Sequence, residues 1–235
     1  MRIRWALFLS AALTLLFNGV ATPAPETATN PVKWTASWIS CPDAPVRDAG
    51  VFHFRKLLSL ETVPGQFFVH ASADSQFLLH VNQQRVGLGP ARGDLAHWRF
   101  ETYDLAPFLH VGTNVLAATV WNFGEHSAIA QMSDRAGFLL QGDTATEQSA
   151  DTNETWEAEQ EKGITVTAPS GLPRDAYFAA EPSEQIDAAG FDWLWNAEAR
   201  DGATAHWKKA VPLGKATSRG QSFPSIGRAS CRERV

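Results

Sequence analysis

From Trp34 onward the chain alternates apolar and polar residues in short runs. Val51-Phe52-His53-Phe54-Arg55-Lys56 alternates with period two, and Ser75 to Val81 places Phe77, Leu79 and Val81 on one face. Asn114 to Trp121 places Val115, Ala117, Thr119 and Trp121 on one face and Leu116, Ala118 and Val120 on the other. A strand that is apolar on both faces belongs in the middle of a packed sheet. Gln66 to Ala71 and Gly137 to Gln141 add two short apolar runs. Turn formers separate these runs at Pro64-Gly65, Gly87-Leu88-Gly89-Pro90, Gly93-Asp94 and Gly112. This spacing predicts an all-β chain: an antiparallel β-sandwich or jelly roll over residues 33–143, then a second, incomplete β segment over 144–225. The predicted core holds Phe52, Phe54, Phe77, Leu79, Val115, Ala117, Val120 and Phe138. His53, His70 and His80 fall in strands, on a face expected to be solvated or half-buried. There is no long helical period before residue 150 and no internal repeat.

The first residues follow a different rule. Arg2 and Arg4 precede an apolar run from Trp5 to Phe17, and small residues follow through Ala21. A basic start, a short apolar centre and a small-residue exit make a signal-peptide pattern. Residues 1–24 are read as that peptide, with cleavage after Ala21 or Ala24, and residues 25–32 as a disordered leader. The expectation is a secreted or periplasmic protein with no membrane contact after cleavage.

An ordered series of short motifs then narrows the fold. It runs Trp34-Thr-Ala-Ser-Trp38-Ile39, Phe52-His-Phe54-Arg-Lys56, Ala73-Asp74-Ser75 through Val81-Asn82, Val86-Gly87-Leu-Gly89-Pro90, Thr102-Tyr-Asp104-Leu105 and Gly112-Thr-Asn114-Val115-Leu116-Ala117. Over residues 33 to 142 this series resembles the N-terminal galactose-binding-like domain of bacterial α-L-rhamnosidases, of glycoside hydrolase family seventy-eight and its relatives. The likeness continues more loosely from Thr155-Trp156 to Trp207-Lys-Lys-Ala210, where Gly190-Phe191-Asp192 followed by Trp207 is similar to a linker into the next β-domain. Gln83 departs from the pattern, since the family often has Gly after Asn and an Asn-Gly pair favours a type I′ hairpin. The resemblance implies a carbohydrate-associated module whose parent hydrolyses terminal α-L-rhamnosides. It also implies that the catalytic acids lie in a helical (α/α)6 barrel downstream, which this chain is expected not to reach. Residues 226–235, with three Arg in ten positions, look like a sequencing adapter translated in frame.

Composition and candidate chemistry refine this reading. The chain has 235 residues, 44% of them hydrophobic, and a net charge of −5. That is apolar enough for a real core, and without a basic stripe nucleic acid is a poor partner. Nine Trp stand against two Tyr. Trp offers a flat face to sugar C–H groups and an N–H at its edge, but it is also a common core residue. Cys41 is expected to be a small buried residue and Cys231 lies in the tail, so no structural disulfide is expected. The seven His show no zinc spacing. No nucleophile elbow, Walker loop or dinucleotide fingerprint occurs, and Gly87-Leu-Gly89-Pro90 reads as a turn. No metal or cofactor is expected. A calcium site would need several loop oxygens, and the sequence assembles no such set. Asn153-Glu-Thr155 matches a glycosylation sequon and is read as coincidence.

Glycoside hydrolysis needs two carboxylates across one bond. Asp74, Asp94, Asp104, Glu125, Asp134, Asp143 and Asp192 are available, but several sit beside turns, where Asp caps local backbone. No catalytic residue is assigned. The ligand-binding candidates are Arg92, Asp94, His97 and Trp98 with Trp121, Asn122 and Glu125. A planar Arg, an acid and an exposed Trp could hold a sugar's hydroxyls and its apolar face. The alternative is that Trp98 and Trp121 are core and Arg92 pairs with Asp94 on the surface. Three functions stay open: an accessory module of a rhamnosidase-type enzyme, with the barrel and a rhamnose-containing glycoside as partners; a free-standing secreted lectin-like module; and the N-terminal domain of another glycosidase, such as a β-galactosidase-like enzyme.

Overall fold

The computed structural model describes residues 33–95, 98–128, 131–168, 182–198 and 206–216, and the backbone of 226–228. In chain order the strands are β1 (Ser37–Ser40), β2 (Gly50–Leu60), β3 (Phe68–Asp74), β4 (Gln76–Val81), β5 (Gln84–Gly89), β6 (Trp98–Asp104), β7 (Gly112–Asn122), β8 (Gly137–Gly142), β9 (Glu157–Glu161), β10 (Ile164–Thr167), β11 (Ser183–Ile186), β12 (Lys208–Lys209), β13 (Val211–Lys215) and β14 (Ile226–Arg228). They form one sheet in the order β13-β1-β8-β3-β6-β14 and a second in the order β12-β9-β2-β7-β4-β5. β10 and β11 make a separate two-stranded ribbon. All pairings are antiparallel except that of β14 with β6. The all-β sandwich expected from the alternating runs is present. Residues 144–225 supply β9, β12 and β13 to the same two sheets, as well as the ribbon.

The alternation decides which side chains meet between the sheets, because successive strand residues point to opposite faces. Phe52, Phe54, Phe77, Leu79, Leu116, Val120 and Phe138 join one buried cluster with Trp156. Phe138 is its centre, with ring centroids 5.6 Å from Phe54, 6.1 Å from Phe77 and 5.7 Å from Trp156. Val115 and Ala117, on the opposite face of β7, are equally buried but belong to a different cluster with Trp195. A third cluster, holding Trp38, Trp98, Phe100 and Leu139, covers the other face of the first sheet.

Two local expectations are corrected. Gly87-Leu88-Gly89-Pro90 is not a turn: Gly87 and Gly89 lie within β5. A Cβ on Gly87 would stand 2.2 Å from the Tyr103 ring, so glycine here admits an aromatic ring against the strand. The hydroxyl of Tyr103 donates to the Leu88 carbonyl at 3.0 Å. His53 and His70 are buried rather than solvated, at 0% and 6% exposure. His53 points to the outer face of the second sheet, but Phe191 and Trp195 cover it there. The β4–β5 hairpin keeps the type I′ backbone despite Gln83, with Asn82 at φ 50° and Gln83 at φ 67°.

Candidate functional site

Among the described residues, two of the concave places bear on the expected ligand residues. The first is a cleft of about 740 Å³ at one end of the sandwich, lined by Arg47, Asp48, Leu95, Glu125, His126 and Asp134 among others. Its shape depends on two backbone contacts. Gly124 has φ +51°, and a Cβ there would stand 2.5 Å from the Arg47 carbonyl oxygen, so only glycine lets these loops cross. Asp74, at the β3–β4 junction and 2% exposed, accepts the backbone N–H groups of Asp134 at 2.6 Å and Arg135 at 2.9 Å on one carboxylate oxygen. It holds the loop before β8 in place.

Burial pushes the Asp74 carboxyl up to about 6, although the bonds from Asp134, Ser133 and Arg135 pull the other way. The ordinary value is 3.8. Between these values the folded chain keeps a proton that the unfolded chain has released. Stability from this group is therefore fully present below about pH 4 and is lost as pH rises through about 6. Asp74→Asn keeps an acceptor oxygen and stays neutral. Its stability relative to the parent chain should rise by on the order of 2 kcal/mol between pH 4 and pH 7. Urea unfolding across that range checks this, and parallel profiles would mean that Asp74 ionises as readily folded as unfolded.

The second place is an aromatic groove of about 240 Å³ on the outer face of the second sheet. Its floor is His53 on β2, His80 on β4 and Trp121 on β7, and its walls are Phe191, Trp193 and Trp195. Trp195 stacks on His53 with centroids 4.0 Å apart and planes 12° apart, and meets His80 edge-on at 5.5 Å. Phe191 and Trp193 pack edge to face at 4.7 Å. The indole N–H of Trp193 donates to the Ala188 carbonyl at 3.1 Å, and that of Trp121 donates to Glu184. Burial pulls the His53 imidazole down to about 4, against the opposite pull of Glu161 and Asp192. The ring is therefore neutral near pH 7, one nitrogen a donor and the other an acceptor. Neither nitrogen has a hydrogen-bond partner, and the same is true of His80 Nδ1 and one Asp192 oxygen.

The structure disperses the residues expected to bind ligand. Glu125 is exposed and lines the end cleft, as does Leu95 beside Asp94. Arg92 and Asp94 are exposed on the loop that enters β6. Trp98 is 4% exposed, and its indole N–H donates to the Ala73 carbonyl at 3.3 Å. It is a packing residue of the first sheet and presents no face to a ligand. Asn122 is fully buried, and its side-chain oxygen accepts the Gly124 N–H at 3.1 Å, so it shapes the turn rather than the surface. Trp121 lines the groove and not the cleft. His97 lies outside the described residues. The groove residues His53, His80, Trp193 and Trp195 were missed as a site. The run Phe191-Asp-Trp193-Leu-Trp195 is the sequence signal that could have found half of it.

Several acids serve the backbone. Asp104 accepts the N–H groups of Phe67 at 2.9 Å and Ala106 at 3.0 Å, and Asp192 accepts that of Leu194 at 2.9 Å. Cys41 is buried, and burial pushes its thiol up to about 11, which disfavours the nucleophilic thiolate. Among the described residues, no three His, Cys, Asp or Glu side chains converge to hold a metal ion.

The fold defines a class: an antiparallel β-sandwich module of galactose-binding-like type. No protein-family model and no curated protein matches the chain. Among solved structures it is similar to the GH78 family rhamnosidase of Bacillus sp. GL1, at 27% identity and a TM-score of 0.70 over 84% of this chain and 20% of that one. The α-L-rhamnosidases of Dictyoglumus thermophilum and Aspergillus terreus share the fold, each with a TM-score of 0.57 over 76% of this chain and 21% of theirs, at 18% and 17% identity. The chain thus corresponds to about a fifth of the length of the rhamnosidases it matches.

Proposed function

We propose that this chain is the N-terminal, non-catalytic β-sandwich portion of a secreted α-L-rhamnosidase-like glycoside hydrolase. The parent hydrolyses terminal α-L-rhamnosides, and its catalytic barrel is this portion's partner. The observation that carries the reading is the match of 84% of this chain to only 20% of a rhamnosidase, at a TM-score of 0.70. The acids support it. Glycosidases hold two carboxyls about 5–5.5 Å or 6.5–9.5 Å apart across a cleft, with one kept protonated. Asp74 and Asp151, two carboxyls that burial raises, are bound to backbone N–H groups instead, Asp74 to Asp134 and Arg135 and Asp151 to Gly142 at 2.9 Å. Export is inferred from the basic, apolar and small-residue order of the leader.

The purified 235-residue chain should show no turnover of aryl α-L-rhamnoside, β-galactoside or β-glucoside. Turnover that vanishes on Asp94→Ala or Glu125→Ala would overturn this reading. Sequencing the gene beyond the codon for Pro224 should reveal a continuing frame of roughly three hundred or more residues, as a barrel domain requires.

A further inference from the structure

Asn153-Glu154-Thr155 is the one Asn-x-Ser/Thr triplet in the chain. As a triplet it carries little weight, because the pattern recurs by chance; its place in the fold gives it more. It lies outside every strand, between the single turn of 3-10 helix at Glu147–Ala150 and β9. The residues that flank it are fixed. Thr152 is buried, its N–H donating to the Leu140 carbonyl at 2.9 Å and its hydroxyl to the Ser37 carbonyl at 2.7 Å. Trp156 is buried too, and its indole N–H donates to the Asp151 carbonyl at 2.9 Å. Between these anchors the backbone turns outward, leaving Asn153 half-buried and Glu154 and Thr155 exposed. The N–H and hydroxyl of Thr155 donate to the Asn153 side-chain oxygen at 2.8 and 2.6 Å. Among the described residues nothing accepts from the Asn153 side-chain nitrogen. Asn114 and Asn122 differ, since both are fully buried within the sandwich.

We infer that Asn153 is an N-glycosylation site, modified on its side-chain nitrogen by an oligosaccharyltransferase. The co-substrate is a lipid-diphosphate-linked oligosaccharide. The amide nitrogen attacks the anomeric carbon of that donor, and a C–N bond forms as the C–O bond to the diphosphate breaks. The lipid diphosphate leaves with the electron pair of that bond, and the amide proton passes to a base of the transferase. The hydroxyl two residues on is the second recognised group, and here it stands beside the acceptor amide on the exposed side of one turn. An attached glycan is bulky and hydrophilic, so it is tolerated where its acceptor faces water. At this turn it displaces no strand pairing, because β9 begins only at Glu157.

In the native host the modification rests on the export reading, so the experiment supplies export independently. The whole 235-residue chain is expressed in a eukaryotic host with a secretion leader of that host placed ahead of Met1. The secreted protein should carry one glycan, which peptide N-glycosidase removes with conversion of Asn153 to Asp, located by peptide mass spectrometry. Asn153→Gln and Thr155→Ala should each abolish the mass shift, whereas Thr155→Ser should keep it, since either hydroxyl completes the motif. The glycosylated chain should melt at the same temperature as the chain made without a transferase. A secreted chain without the shift, a shift that survives Asn153→Gln, or a melting temperature lowered by the glycan would each overturn the inference. The same chain without the added leader tests export by its own first residues, so failure of the site and failure of the export reading are separately visible.

Discussion

Phe77→Ala is expected to lower the unfolding free energy by about 3–5 kcal/mol. Phe77 is fully buried on β4, between Val120 of β7 and Gly89 of β5. Its ring meets Phe138 at 6.1 Å and Tyr103 at 6.3 Å, and a Cβ on Gly89 would stand 3.0 Å from two of its ring atoms. The ring thus fills space that a glycine and two sheets leave open. Loss of the phenyl removes transfer free energy and also leaves a cavity, because strands paired on both sides cannot collapse into it. Urea denaturation should show a lower midpoint with little change in slope. A loss below about 1 kcal/mol would mean that the core repacks freely, contrary to the close-packed rings around Phe138.

The second large effect is expected at Asn114, a polar residue with no exposure. Its side-chain oxygen accepts the His110 N–H at 2.9 Å and the Asn82 amide at 2.8 Å. Its own amide donates to the carbonyls of His110 at 2.7 Å and Gly112 at 3.1 Å. Asn82 continues the network by accepting the Val115 N–H at 2.9 Å and donating to Phe108 at 2.8 Å. One amide therefore ties the 108–112 loop to the β4–β5 hairpin. Asn114→Ala strands these groups and should cost about 2–4 kcal/mol. Asn114→Asp is nearly isosteric, yet its carboxylate would face two carbonyl oxygens and lose both donors. At pH 7 it should be at least as destabilising as the alanine variant. Thermal melting of both variants checks the order, and a harmless Asn114→Asp would show that the amide's donors are not needed.

Much of this architecture was legible before any coordinates. The two faces of β7 were told apart correctly, but the expected core mixed them: Val120 lies in the main core with Leu116 and Ala118, whereas Val115 and Ala117 are buried on the other side. Period two leaves no other arrangement for a strand. The Gly112-Thr-Asn114 motif also marked a real feature, although its hydrogen bonds reach Asn82, thirty-two positions away. The ligand-site candidates fared differently. Arg92, Asp94, Trp98, Trp121, Asn122 and Glu125 were grouped because they lie in or beside loops, yet loop membership does not specify which way a side chain turns. Trp98 packs on the first sheet, Trp121 opens on the outer face of the second, and Glu125 lines the end cleft.

By itself the sequence determined strand content and the two faces of each strand, since these follow from local sterics and from burial of alternate apolar residues, but not every turn, since Gly87 and Gly89 lie within β5. Only the tertiary structure decided that His53 and Arg55, polar residues on an outward face, are buried. The segment that covers them lies far along the chain: Trp195 stacks on His53, and the Ala197 carbonyl accepts a bond from Arg55 at 3.1 Å. Nothing local to β2 encodes that cover. The aromatic groove exists because a late segment folds back over an early strand, and such long-range closure leaves no period in the sequence from which to read it.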